Sequence, residues 1–320
     1  DQFSSEDCDP SPAVQHCGLG EITVQQFRNN SWQALGQPRF STPASWVSLV
    51  EYQGNPVVVY HDTEVNGRFS VMQYLDGAWQ MIGDQGINEF TAFNVRAFAY
   101  DDLLYVAYTE DARGYRASVQ VWDGQAWRYL GESAFTDSSA NYLQFMRLSG
   151  REYVAFRDGS NGDRCSVMFF DGARWQYLGD HGFSESEVDF VGLTYLEDQP
   201  VVVFSDAKSL GKLTAMRWSG SKWQLLGQAG FSNGVANEIA VDSSGTEVYV
   251  AFREVLPDSP DAISVMSYEG AAGWDYVGKP HFSKSHVNHL DLLLGKDAVF
   301  VAYADVAKEH HMTVKRYRLD

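Results

Sequence analysis

Helical periodicity is missing from this chain. No segment of useful length repeats its apolar residues at three- and four-residue spacing, so an α-helical core is excluded. Long apolar runs are missing as well: no stretch of 18 apolar residues occurs, and no transmembrane helix is encoded. Positive charge is scarce, with 24 Lys and Arg against 42 Asp and Glu and a net charge of −18. Such a surface repels phosphates and anionic headgroups, which argues against nucleic acid as a partner. The chain has no Ser/His/Asp constellation in a motif context, no phosphate-cradling Gly-rich loop before a helix and no zinc-type Cys/His spacing. No catalytic residue is therefore assigned, and binding is expected in preference to catalysis.

Cysteine is nearly absent too, with three in 320 residues. Cys8 and Cys17 lie close together in the segment DCDPSPAVQHC and are expected to form a small disulfide loop. A disulfide implies an oxidising compartment, so the chain is expected to be secreted, extracellular or periplasmic. Asp1 in place of an initiator Met fits a processed or trimmed chain. Cys165 stands alone in strand-like RCSVMFF, and its counterparts in the repeat below are apolar, which predicts a buried, inert thiol. Asn29-Asn30-Ser31 is a glycosylation sequon on an expected turn.

What the sequence does have is a repeat. Trp-x-x-apolar-Gly recurs at Trp32, Trp79, Trp127, Trp175, Trp223 and Trp274, with spacings of 47, 48, 48, 48 and 51 residues. Most of these tryptophans follow a turn such as LDGAW, WDGQAW or WSGSKW, whose Asp-Gly or Ser-Gly supplies the positive φ of a tight hairpin. A Ser/Thr-apolar strand precedes each of these turns, as in Ser70-Val71-Met72 and Ser166-Val167-Met168. Before that comes an apolar strand ending in an acid: VVVYHD, YVAYTE, YVAFRD, VVVFSD, YVAFRE and FVAYAD. A further strand begins near Ser45, Asn94, Asn141, Asp189, Asn237 and Asn288. The unit is four short strands, a to d, at a period of about 48 residues, which is the signature of a propeller blade.

The fold expected is all-β: a six-bladed β-propeller of four-stranded antiparallel blades over residues 21–320, preceded by an N-terminal extension of residues 1–20. The C-terminal blade supplies strands a, b and c. Ser31–Gly36 is expected to join it as strand d and close the ring. That leaves Ile22–Phe27 and Thr313–Leu319 as rival candidates for strand c of the closing blade.

The repeat resembles that of secreted six-bladed propellers as a group. WD40 and kelch repeats fit poorly, because neither a Gly-His…Trp-Asp pairing nor paired glycines recur. The turns Asp123-Gly124-Gln125-Ala126-Trp127 and Asp171-Gly172-Ala173-Arg174-Trp175 are similar to half of a sialidase Asp-box. Fucose-binding lectins share the blade count and the aromatic richness, but their signature of an Arg and a Glu with a facing aromatic per blade does not recur here in register. The resemblance implies an extracellular binding or recognition module of lectin or adhesion type, with a glycan or a cell-surface or matrix component as partner.

In this architecture the d–a and b–c loops share one face. Asp62, Glu110, Asp158, Asp206, Glu254 and Asp305 end the b strands there. A ring of six acids suits a ligand or an axial cation; equally, each acid caps its own neighbouring backbone. Trp46, Phe93, Tyr115 and Tyr142 fall on or near the same face and are candidates to stack on sugar rings. His61, His286, His289, His310 and His311 map to the sector of blades one and six, and imidazoles together suit a divalent metal, with Ca, Cu and Zn the ions considered. A metal-binding protein, a structural subunit of a surface or matrix assembly and a polysaccharide-active hydrolase are the alternatives.

Overall fold

The computed structural model describes residues 20–257, 259–283 and 286–319. Cys8 and Cys17 lie outside these residues. Packing divides the chain into two compact units, with the division between Ala140 and Asn141.

The first unit opens with a hairpin of β1 (Gln25–Arg28) and β2 (Ser31–Ala34). Its turn is Asn29-Asn30, both at positive φ, so the sequon lies on the expected turn. Blade one follows as β3 (Ala44–Tyr52), β4 (Asn55–Asp62), β5 (Arg68–Leu75) and β6 (Ala78–Met81). Blade two is β7 (Ala92–Tyr100), β8 (Leu103–Glu110), β9 (Arg116–Trp122) and β10 (Trp127–Tyr129).

The second unit holds blade three, β11 (Ala140–Leu148), β12 (Arg151–Asp158), β13 (Arg164–Phe170) and β14 (Trp175–Tyr177). Blade four is β15 (Val188–Leu196), β16 (Gln199–Asp206), β17 (Lys212–Trp218) and β18 (Trp223–Leu225). Blade five is β19 (Val235–Ser243), β20 (Val248–Val255), β21 (Ala262–Tyr268) and β22 (Trp274–Tyr276). Blade six is β23 (Val287–Leu294), β24 (Ala298–Asp305) and β25 (His311–Arg318). Every sheet is an antiparallel meander in chain order. The chain is a six-bladed β-propeller, as the repeat predicts.

The rivalry for strand c of the last blade is decided by pairing: β25 lies against β24 from Asp305↔His311 to Ala298↔Arg318. In backbone pairing, Ser31–Ala34 is the second strand of the β1–β2 hairpin, and the last sheet has three strands among the described residues. The hairpin carries the same cross-links as a blade's own c–d pair. Leu35 N donates to Val24 O as Ile82 N donates to Val71 O, and Phe40 N donates to Ile22 O as Ile87 N donates to Phe69 O.

The blade motif has a packing explanation. The indoles of four outer-strand tryptophans donate Nε1–H to a carbonyl of the preceding hairpin or blade: Trp79 to Leu35, Trp127 to Ile82, Trp223 to Leu178 and Trp274 to Leu226. Three of these rings also stack on a Phe of the preceding hairpin or blade, Phe40–Trp79, Phe183–Trp223 and Phe231–Trp274, with centroids 4.1–4.4 Å apart. The motif's Gly makes room for this. At Gly227, φ is +81°, and a Cβ would stand 2.8 Å from the Trp274 ring. Around these anchors the b and c strands bury their aliphatic faces. Val57, Val59, Phe69 and Val71 pack with Val106 and Tyr108 in the first unit, and Val201, Val203, Leu213 and Ala215 with Val250 and Phe252 in the second. Each such large side chain contributes about 1.5–3 kcal/mol of apolar transfer.

Candidate functional site

The six acids that end the b strands are all buried. Five of them, all but Glu254, precede a single-turn 3-10 helix, and three of these cap it through the side chain. Asp62 accepts from Glu64 N, Asp158 from Ser160 N and Asp206 from Lys208 N. The carboxylates also accept from a strand-c hydroxyl: Ser70 to Asp62, Ser166 to Asp158, Thr214 to Asp206 and Ser264 to Glu254, at 2.6–2.9 Å. That hydroxyl accepts in turn from a loop N–H, such as Gly86 N to Ser70 Oγ and Gly182 N to Ser166 Oγ. Glu110 accepts from Asn88 Nδ2 and pairs with Arg113; Asp305 pairs with Lys308. Of the two roles the sequence leaves open to these acids, their contacts are those of capping. A buried carboxylate held by several donors ties strands and a loop together.

The face beside them has a second repeated feature. One residue near the start of each a strand takes left-handed backbone: Trp46, Asn94, Tyr142, Phe190, Glu238 and His289, with φ between 47° and 54°. Register shifts mark a bulge at this point, for instance between Ser45 and Ser48, Asp189 and Gly192, and Asn288 and Asp291. None of the six is a glycine. A bulky residue held there costs about 1–3 kcal/mol, and such strain clusters where a side chain is re-aimed for use.

In the first unit this feature lies beside a row of aromatic rings. Phe93 meets His61 edge-on at 5.9 Å and Tyr115 at 5.5 Å. Trp46 and Tyr115 are exposed, at 41% and 39%. His61 itself is buried, and Gly67 makes way for it: a Cβ on Gly67 would collide with the imidazole, and its φ is +71°.

The second unit adds charge to the aromatics. Arg157 ends its strand one residue before the buried Asp158. Its Nη2 donates to Asp163 and its Nη1 to Asp189, both at 3.0 Å. Tyr142 and Phe190, two of the strained bulge residues, stand with ring centroids 5.0 Å apart. Burial raises the Tyr142 hydroxyl pKa, with the Asp189 charge adding to the rise and Arg157 opposing it, so this phenol lies within the electrostatic reach of both groups. Tyr142, Arg157, Asp163, Asp189 and Phe190 thus form one cluster of a guanidinium, two carboxylates and two rings.

Two blades further on, Arg253 repeats the position. It donates to Asp261 at 2.9 Å and faces Glu238 at 3.5 Å. His286 Nδ1 lies 2.6 Å from Asp261. Burial pushes the Asp261 carboxyl up, but the His286 bond and charge, with Arg253, outweigh it and hold the group below its ordinary range.

The remaining expected ligands are placed as follows. His289 is the bulge residue of blade six. His310 sits in left-handed backbone after the last 3-10 turn, its N–H donating to Asp305 O, and exposed His311 begins β25 opposite Asp305. Among the described residues, no group of three or more His, Cys, Asp or Glu side chains is placed to hold a metal ion. Cys165 is buried as expected, and burial pushes its thiol pKa far up.

Arg157, Asp163, Phe190, Arg253 and Asp261 were not singled out in the sequence. A signal for the arginines exists in YVAFRD and YVAFRE, where Arg occupies one register position in alternate blades. A search for a residue recurring in every blade passes over it.

No family model matches the chain, and no curated protein matches it. Solved structures do. One is SapL1 lectin in complex with α-methyl fucoside, 17% identical, with a TM-score of 0.60, covering 87% of this chain and 94% of that one. Another is the AAL lectin of Aleuria aurantia with Fucalpha1-6GlcNAc, 13% identical, with a TM-score of 0.56, covering 86% and 91%. A third is a protein of unknown function from Dyadobacter fermentans, 13% identical, with a TM-score of 0.56, covering 87% and 95%. At these identities the likeness is one of fold.

Proposed function

We propose that this chain is a carbohydrate-binding protein and that its second unit binds a saccharide at the Tyr142–Arg157–Asp163–Asp189–Phe190 cluster. The observation that carries the reading is the convergence of a fork-shaped donor, two carboxylate acceptors and two aromatic rings on one strained stretch of backbone. A sugar presents hydroxyls that both donate and accept, and apolar C–H faces that need a flat partner. Arg157 supplies N–H donors in a fixed plane. Asp189, half-exposed, accepts from hydroxyls, and the two rings offer the apolar surface. The fold supports the reading as well, since two of the neighbours named above were solved with fucosides bound.

A glycan-array screen of the intact protein and of Arg157→Met, each with and without a strong chelator, tests it. The expected result is saturable binding by the parent protein, unchanged by chelation and lost in the variant. Loss of a charge-assisted hydrogen bond of about 1.5–3 kcal/mol corresponds to a roughly ten- to hundredfold weaker Kd. No glycan bound by the parent, or binding unaffected in Arg157→Met, would refute the assignment.

A further inference from the structure

Arg253 is built into the same frame as Arg157 but has different neighbours. Each stands one residue before the buried acid that ends its b strand, and each donates to an acid just ahead of strand c, Asp261 for Arg253 and Asp163 for Arg157. The bulge residue of Arg157's blade is Tyr142; that of Arg253's blade is Glu238, which lies 3.5 Å from the guanidinium. From the next blade Arg157 meets Asp189, whereas Arg253 meets His286, one residue before β23.

Two polar atoms of this second cluster are left over. Arg253 Nε and Glu238 Oε2 are buried and make no hydrogen bond. One is a donor and the other an acceptor. A hydroxyl answers both, since it accepts through a lone pair and donates its own proton. An anion would meet only the first and a cation only the second. The Arg253, Asp261 and Glu238 side chains are 16–26% exposed, so the cluster is reached from the surface.

His286 is engaged at both ring nitrogens. Its Nδ1 lies 2.7 Å from Asp261 Oδ1, and its Nε2 lies 3.4 Å from Arg253 Nη1. A guanidinium only donates, and an ionised carboxylate only accepts. One form of the ring satisfies both contacts: neutral imidazole, with its proton on Nδ1 and the Nε2 lone pair toward Arg253. A second proton reverses the match. Nε2–H then points at Nη1–H, cation faces cation, and the charged ring competes with Arg253 for Asp261. His286 is half-exposed, so protons reach it. Its charged neighbours are Arg253 from β20 and Asp261 from the turn into β21, and Glu238 of β19 faces Arg253 in turn.

We propose that Arg253, Glu238, Asp261 and His286 form an acid-released saccharide site, which holds sugar hydroxyls while His286 is neutral and lets them go when the imidazole takes up a proton. The proposal rests on the carbohydrate reading above for the class of ligand, not for the place. With no ring to stack on, this is the weaker of the two sites. An array therefore reports the Arg157 cluster, and free sugar at high concentration is needed to fill this one. Arg157, held by two carboxylates, has no such imidazole partner among the described residues.

The test is calorimetric titration of the intact protein with the methyl glycosides of galactose, glucose, mannose and fucose. Concentrations run to about 10 mM, where a millimolar Kd is read. Titrations are made at about pH 8 and about pH 5, the interval over which imidazole changes charge. The variants are Arg157→Met, Arg253→Met, Glu238→Gln and His286→Asn, each checked for fold by circular dichroism. The expected result is a weak phase that survives Arg157→Met and is lost in Arg253→Met and Glu238→Gln. That phase should weaken roughly tenfold or more at the lower pH, as for loss of a hydrogen bond to a charged group. In His286→Asn its two Kd values should converge. A weak phase with one Kd at both pH values, or a pH dependence that persists in His286→Asn, would overturn the proposal. So would the absence of any phase beyond the one that Arg157→Met removes, and in that case the Arg157 assignment stands. No binding by the parent at either pH would overturn both.

Discussion

At the scale of single residues, the acids at the ends of the b strands and the hydroxyls facing them are the most constrained groups in the molecule. Asp158 accepts from Ser160 N, Ser160 Oγ, Asn161 Nδ2 and Ser166 Oγ. Removing the carboxylate strands the buried Ser166 hydroxyl, at about 1–3 kcal/mol for a buried group left unmet, and releases the part-buried donors of the 3-10 turn. Asp158→Ala is expected to lose about 2–4 kcal/mol, read as a lowered urea midpoint with little change in slope. Cys165 should resist thiol reagents in the native protein and react at once in denaturant, because burial suppresses its thiolate.

Asp261 allows a pH argument. Its carboxyl is depressed in the folded state by His286 and Arg253, against the effect of burial. Its contribution is therefore fully present above the ordinary aspartate pKa of about 3.9 and is lost as pH falls through the lower folded value. Thermal midpoints measured from pH 6 downward, a range set by that aspartate pKa, should fall less steeply for Asp261→Asn than for the parent; identical acid limbs would contradict this.

Residue types explain what could be read in advance. Trp46, Phe93, Tyr115 and Tyr142 stand out by breaking the repeat, and all four do lie beside the bulged face. Arg157 and Arg253 stand inside the repeat, in YVAFRD and YVAFRE, and look like ordinary strand residues until their partners from the b–c loops and a strands are seen. Asp163 and Asp189 reach Arg157 only through strand pairing and blade packing, which a linear sequence does not display.

At the scale of elements, strand order and turn position were legible because apolar alternation, Asp-Gly turns and the Trp-x-x-apolar-Gly motif recur at one period. The bulge in each a strand was not legible. Its left-handed residue is Trp, Asn, Tyr, Phe, Glu or His, so no glycine announces it. The competition for strand c was not legible either, since Thr23-Val24-Gln25 and Thr313-Val314-Lys315 carry the same pattern; pairing with β24 goes to the latter. The outer-strand Trp is the element-level lock between neighbouring blades. Trp223→Phe keeps the ring against Phe183 but deletes the Nε1 bond to the Leu178 carbonyl, leaving a part-buried acceptor unmet. The expected cost is about 1–3 kcal/mol in chemical denaturation, and a change within error would mean that the bond adds nothing to blade packing.

At the scale of the whole molecule, a net charge of −18 coexists with guanidinium groups that are each surrounded by carboxylates. Arg157 faces Asp163 and Asp189, so its charge is already matched, and neutral polyols suit it better than anionic ligands, which the acidic surface repels. The propeller supplies the frame, and function lies in the side chains mounted on it. The most direct test of the saccharide assignment is calorimetric titration of the best array glycan into the parent protein and into Tyr142→Ala, with both confirmed folded. The account predicts saturable binding by the parent and at least tenfold weaker binding in the variant, the consequence of losing about 1.4 kcal/mol or more of ring contact. Equal affinity in the two proteins would place the sugar elsewhere and contradict the account.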